Sequence, residues 1–147
     1  MVRKIIENKN VFIYGIVILT LAVVALFIPN TIETYYFYRA SSRPYFFSYF
    51  YFFNPLDRLL YFASLLLINA GALLVMGGIW ESENLTGTGF GIGLGGCSLF
   101  IGPCVYSLIM HIHDTDLFIG NIVNLCFGGV SLVLVILSLV DIEKLKI

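Results

Sequence analysis

The stretch Leu117–Val140 reads LFIGNIVNLCFGGVSLVLVILSLV, and it decides the fold class. Its 24 residues include no Asp, Glu, Lys or Arg. An α-helix rises about 1.5 Å per residue, so this stretch would be roughly 36 Å long, enough to cross the hydrocarbon core of a bilayer. A helix on the surface of a soluble domain would carry charged residues along one face. The stretch therefore predicts a transmembrane helix.

Three more runs of the same kind precede it: Val11–Ile28, Leu59–Ile79 and Gly89–Met110. The eight basic and nine acidic residues of the chain all lie outside the four runs, as expected where a charge in the bilayer costs several kcal/mol. The composition agrees, since only 12% of residues are charged and the mean hydropathy is +0.95. We predict an all-α integral membrane protein, a four-transmembrane-helix bundle that forms one domain over residues 1–147.

The distribution of basic residues predicts the topology. An even number of spans places both termini on the same side of the membrane. The terminal segments hold five Lys and Arg residues against three in the first loop. Because cytoplasmic segments are enriched in Lys and Arg, both termini are predicted to be cytoplasmic.

The first connection, residues 30–58, is the longest and is rich in aromatic side chains. Twelve aromatic residues lie between Tyr35 and Phe53. Tyrosine rings prefer the headgroup level of a bilayer, where the ring is in the apolar zone and the hydroxyl is hydrated. We interpret this aromatic loop as an interfacial segment, with a docking surface for another membrane subunit or a substrate-binding lid as alternatives.

A glycine-rich segment opens the third run. It contains the letters G-x-G-x-x-G at Gly91, Gly93 and Gly96, but no strand precedes them, as a dinucleotide site requires. Overlapping G-x-x-x-G spacings instead favour close helix packing, with Gly91 and Gly95 as the contact and the third helix as the most buried. An unwound glycine path for a substrate is the alternative. The glycines assigned to packing are Gly87, Gly89, Gly91, Gly93 and Gly95.

Three asparagines are the largest polar side chains within the spans: Asn69, Asn121 and Asn124. Amides in membrane helices commonly form hydrogen bonds between helices, so we predict that the second and fourth helices meet or face a common neighbour. The spans contain no ionisable relay of the kind that pumps and ion-coupled transporters use. Gly102-Pro103 is expected to bend the third helix.

The histidine corner, His111-Ile112-His113-Asp114-Thr115-Asp116, holds both histidines of the chain. Its candidate metal ligands are His111, His113, Asp114 and Asp116, a nitrogen and oxygen set that suits Zn, Cu or Fe. On a helix the two imidazoles would point about 200° apart, so they converge on one metal only if the segment is extended. A turn in which Asp116 caps the fourth helix explains the same residues without a metal.

These features favour an accessory or scaffold subunit of a larger membrane complex, without catalytic activity of its own and with no cofactor that the sequence identifies. Its partners would be the lipid bilayer and either other membrane subunits or further copies of the chain. One alternative is a subunit that completes a metal, haem or quinone site, and another is a small channel or carrier. A net charge of −1 argues against a nucleic-acid partner.

Overall fold

The computed structural model describes residues 8–27, 55–110 and 115–145, and these residues form four helices. For residues 55–57, 115–118 and 142–145 the description is limited to the backbone. The helices are α1 (Lys9–Ala25), α2 (Pro55–Trp80), α3 (Glu83–Met110) and α4 (Thr115–Leu145). The prediction of an all-helical chain with four helices is confirmed for the described residues.

Three of the helices, α2, α3 and α4, are long and apolar enough to cross a membrane. Their apolar segments are Arg58–Trp80, Glu83–Met110 and Ile119–Asp141. Helix α1 is equally apolar but has 17 residues, or about 26 Å. The predicted span 11–28 therefore corresponds to a shorter helix that begins two residues earlier and ends three residues earlier, at Ala25.

The helices extend beyond the apolar runs at most of their other ends. Helix α2 begins at Pro55, so residues 55–58 belong to it and not to the aromatic loop. Helix α3 begins six residues before Gly89, at Glu83, and continues through Pro103 to Met110. The rest of the aromatic loop, residues 30–54, lies outside the described residues.

A tight turn joins α2 to α3. Glu81 adopts a left-handed conformation with φ 49°, the only positive φ of a non-glycine residue in the described backbone. The Ser82 N–H donates to the Gly77 carbonyl at 3.1 Å, which is the six-to-one bond of a Schellman cap. Ser82 then begins α3, because its hydroxyl accepts a bond from the Leu85 N–H at 3.4 Å. This turn makes α2 and α3 antiparallel neighbours.

The left-handed Glu81 predicts that Glu81→Gly stabilises the protein. A Cβ in this conformation costs roughly 1–2 kcal/mol, and glycine's greater chain entropy in the unfolded state offsets about half of the gain. We expect an increase of about 0.5–1 kcal/mol in the unfolding free energy, measured by circular dichroism in detergent micelles. Glu81→Ala is the matched control, since it removes the charge but keeps the Cβ. An equal gain from Glu81→Ala would assign the effect to the charge.

Helices α1 and α2 approach each other through glycine. A Cβ added at Gly15 would lie 2.7 Å from the Gly71 carbonyl oxygen, and one added at Gly71 would lie 2.8 Å from the Gly15 carbonyl oxygen. At the end of this contact the Asn8 N–H donates to the Gly78 carbonyl at 2.9 Å. The Asn8 side chain also caps α1 by accepting a bond from the Val11 N–H. The two backbones are therefore in direct contact.

The four helices form a ring in the order α1, α2, α3, α4. Helix α2 packs against α1 and α3, and α4 packs against α3 and α1. Buried positions along α1 recur at alternating intervals of four and three residues: Val11, Gly15, Ile18, Ala22 and Ala25. This 3.5-residue repeat is the packing pattern of helix bundles with small crossing angles.

The bundle has an apolar exterior and many small or polar residues inside. Large apolar side chains are exposed on every helix, for example Ile13, Phe62, Ile109 and Val133. Seven polar residues are buried: Ser64, Thr86, Ser107, Asn121, Asn124, Ser131 and Ser138. Large exposed apolar surfaces are uncommon on soluble monomers. The exterior of the described helices is compatible with contact with a lipid bilayer.

Candidate functional site

The glycines of α3 divide into two faces. Gly89, Gly93 and Gly96 are buried, whereas Gly87, Gly91 and Gly95 are exposed. Residues two apart on a helix differ by about 200°, so a glycine at every second position places glycines on opposite sides. We call the first set the inward glycine face and the second set the outward glycine face.

The inward glycine face packs within the chain. A Cβ added at Gly89 would lie 3.2 Å from the Ala70 carbonyl oxygen, and one at Gly96 would lie 3.1 Å from the Leu67 side chain, both on α2. At Gly93 the added Cβ would meet the Val135 side chain of α4 at 2.7 Å. Glycine at these positions thus allows α3 to lie close to both of its neighbours.

The outward glycine face has open space above it. A Cβ added at Gly87, Gly91 or Gly95 would meet no atom within 4 Å. We expected Gly91 and Gly95 to contact another helix, but within one copy the inward glycine face makes that contact. The alternative interpretation was a substrate path along the glycines. A substrate path along the outward glycine face would lie outside the bundle and not through its centre.

Helix α3 is also less central than expected. The share of the apolar segment that is buried is larger for α2 than for α3. The reason is that α2 packs on both sides through small residues, with Gly71 and Gly78 facing α1 and Ala70 and Gly77 facing α3. Sequence reasoning missed the α1 contact of Gly15, Gly71 and Gly78. The signal that could have predicted this contact is the seven-residue spacing of small residues along α2. One such set is Ser64, Gly71 and Gly78, and the other is Ala63, Ala70 and Gly77.

The three asparagines have different environments. Asn69 is exposed, and its Nδ2 donates to the Leu65 carbonyl of its own helix at 2.8 Å, so it does not link helices through this bond. Asn121 and Asn124 on α4 are fully buried and both take part in polar or electrostatic interactions. Since α2 and α4 both pack against α1 and α3, the two helices share neighbours, which is one of the two predicted arrangements.

The interior side of α4 carries a row of polar groups. Asn121, Asn124, Ser131 and Ser138 are all at most 1% exposed. The Ser138 hydroxyl donates to the Val135 carbonyl at 2.6 Å, so this group is satisfied within its own helix. Amides and hydroxyls can form hydrogen bonds with each other or with a polar ligand, but they supply neither a general acid and base at neutral pH nor strong ligands for a metal.

One polar contact links α1 to α4. The Tyr14 hydroxyl lies close to the Asp141 carboxylate. Tyr14 is in the second turn of α1 and Asp141 is near the end of α4, so this contact is at the end of the bundle that holds both described termini. This contact was not predicted, because the span prediction ended at Val140 and placed Asp141 outside the bundle.

The three cysteines are free thiols. Cys97 and Cys104 on α3 are buried, and Cys126 on α4 is exposed. The buried pair lies in the hydrophobic core, where a thiol acts as a small apolar side chain.

The histidine corner falls largely outside the structural description. His111, His113 and Asp114 are not among the described residues, and Asp116 is described only in its backbone. Helix α4 begins at Thr115, so Asp116 lies in its first turn and is not the N-cap. Among the side chains that are described, no three His, Cys, Asp or Glu residues come together as metal ligands. The predicted metal site remains a prediction.

Comparisons with protein-family models, with curated proteins and with solved structures find no match to this chain.

Proposed function

We propose that this protein is a multi-pass integral membrane subunit that has no catalytic activity of its own and joins a larger membrane complex through the outward glycine face. In lipid, helices are not drawn together by the hydrophobic effect, so association depends on close backbone approach and on hydrogen bonds. At Gly87, Gly91 and Gly95 an added Cβ would meet no atom within 4 Å, so the backbone of α3 is open to a neighbouring helix along this face. That open outward glycine face is the observation that supports this function.

Three of the helices can cross a membrane by length and composition, and the bundle exposes its apolar side chains. We infer that all four helices are embedded, with cytoplasmic termini and the aromatic loop on the opposite side. The aromatic loop would add a second contact with the complex, on the side of the membrane opposite the α2–α3 turn. In this arrangement the polar groups in the interior hold the bundle together and do not carry out a reaction.

Substitution of the outward glycine face tests the proposal. In Gly91→Leu and Gly95→Leu the new Cβ would meet no atom of the same copy within 4 Å, and the leucine side chain would add bulk to the outward glycine face. We expect both variants to keep the thermal stability of the isolated protein and to lose the larger complex, measured by native electrophoresis after extraction of membranes in a mild detergent. Bulky residues in place of interfacial glycines prevent backbones from approaching each other.

Gly129→Leu is the matched control for this experiment, because a Cβ added at Gly129 on α4 also meets no atom within 4 Å and leucine adds the same bulk away from the outward glycine face. It should leave the complex intact. If the Gly91→Leu and Gly95→Leu proteins migrate with the wild-type complex, or if wild type migrates as a single copy, the proposal is incorrect.

A further inference from the structure

Asn69 is an exposed polar side chain in the middle of α2. It is the central residue of the 23-residue apolar segment Arg58–Trp80. It therefore lies roughly 16 Å along the helix from either end of that segment. Its side chain is on the outer surface of the bundle. In a membrane-embedded bundle no water reaches this depth, so the amide of Asn69 needs hydrogen-bond partners from protein.

The bond that Asn69 makes within its own copy uses only part of the amide. Its Nδ2 donates to the Leu65 carbonyl at 2.8 Å, which uses one of two N–H donors. The second donor and the Oδ1 acceptor form no bond with the described residues. Two exposed hydroxyls differ from this amide, because Thr20 and Ser98 each donate their single O–H to a carbonyl of their own helix. The remaining capacity of Asn69 is available to a partner outside the copy.

Asn69 lies in a row of exposed apolar side chains on α2. Phe62 and Met76 are seven residues before and after it, so all three are on one face of the helix. Trp80 lies one turn beyond Met76, and each of these apolar side chains is exposed. We call Phe62, Asn69, Met76 and Trp80 the α2 row. A single asparagine within an apolar seven-residue repeat is the pattern by which coiled coils fix register and oligomeric state.

We propose that a second copy of this chain binds along the α2 row and that the Asn69 side chains of the two copies form hydrogen bonds with each other. An amide is self-complementary, because it carries both donors and an acceptor. Two copies inserted in the same orientation are related by a two-fold axis along the membrane normal, which places each residue of the row near its own counterpart at the same depth. A different protein would have to supply its own polar side chain at the centre of the membrane. The inference rests on the membrane location given in the proposed function, but it uses a different helix from the outward glycine face.

Sedimentation equilibrium of the purified chain in detergent micelles tests the dimer. We expect wild type to sediment as a dimer. Asn69→Leu keeps the size of the side chain and removes the amide, so it should raise the Kd of the dimer about 3- to 20-fold, the range for one hydrogen bond between membrane helices. Asn69→Gln retains an amide and should restore most of the affinity. The Tm of Asn69→Leu should not fall, because the bond that it loses within the copy does not link two helices.

Two control variants should dimerise like wild type. Ser98→Ala removes an exposed polar group whose hydrogen bond lies within its own helix. Gly91→Leu alters the outward glycine face and so separates this dimer from the assembly tested above. The inference is overturned if wild type sediments as a single copy, if Asn69→Leu dimerises as tightly as wild type, or if Gly91→Leu breaks the dimer and Asn69→Leu does not. A single-copy wild type whose larger complex is lost in Asn69→Leu would likewise overturn it and would assign Asn69 to a different subunit.

Discussion

Gly71→Leu should lower the free energy of unfolding by more than about 3 kcal/mol or prevent folding. A Cβ at this position would lie 2.8 Å from the Gly15 carbonyl oxygen and 2.9 Å from the Leu19 backbone nitrogen. Both atoms belong to the backbone of α1, so relief requires α1 to move away from α2. Overpacking of a core commonly costs 1–3 kcal/mol, and here the whole isobutyl group must be accommodated as well. The change can be measured by thermal unfolding in detergent micelles, followed by circular dichroism.

The control for Gly71→Leu is the same substitution at Gly91. Both variants replace a helical glycine by leucine, which by itself favours the helix by up to about 1 kcal/mol. A Cβ added at Gly91 would meet no atom within 4 Å, so Gly91→Leu should be as stable as wild type or slightly more stable. Equal destabilisation of the two variants would contradict the close backbone contact between α1 and α2.

The helical fold could be predicted from hydropathy, but the helix bounds could not. Long runs without charges identify apolar helices, and four helices are present in the described part of the chain. Hydropathy reports the length of the apolar segment and does not report where backbone hydrogen bonding ends. Helix α3 therefore begins at Glu83 through the Ser82 cap, although the apolar run begins at Gly89.

The role of each glycine could be predicted only in part. The G-x-G-x-G-x-G pattern of residues 89–95 places glycine on opposite sides of the helix, so periodicity alone gives no preference for one face. The neighbouring helices decide which glycine face is packed. Ala70 and Leu67 of α2 and Val135 of α4 lie against the inward glycines, which are Gly89, Gly93 and Gly96. By contrast, Gly71 and Gly78 are seven residues apart, and this spacing predicts that both glycines lie on the same face of α2.

The environments of the polar side chains could also be predicted only in part. Asn69 and Asn124 look equivalent in the sequence, since each lies within an apolar run. In the structure Asn69 is exposed and bonds to its own helix, whereas Asn124 is fully buried. The Tyr14–Asp141 contact joins residues 127 positions apart, and no local pattern predicts such a pair. Function depends on contacts of this kind, so the sequence supports a fold class more firmly than an activity.

Val130→Lys should prevent stable membrane integration of α4. Val130 is at the middle of the apolar segment Ile119–Asp141 and its side chain is 48% exposed. A lysine at the centre of a transmembrane helix costs about 2.5–3.5 kcal/mol on insertion scales. Because the position is near the middle of the segment, the lysine side chain can reach the interface only by tilting the helix or thinning the bilayer. The measurement is the fraction of protein that remains in membranes after extraction with alkaline carbonate.

Asn84→Lys provides the comparison for Val130→Lys. Asn84 is exposed in the first turn of α3, close to Glu81 and Glu83, where a charge can be hydrated. This variant should remain in the membrane like wild type, while Val130→Lys should be largely lost from it. In a soluble protein both lysines would lie in water, and exposed substitutions of that kind change stability by no more than about 0.5 kcal/mol. Equal retention of the two variants would therefore show that the apolar face of α4 does not contact the hydrocarbon core.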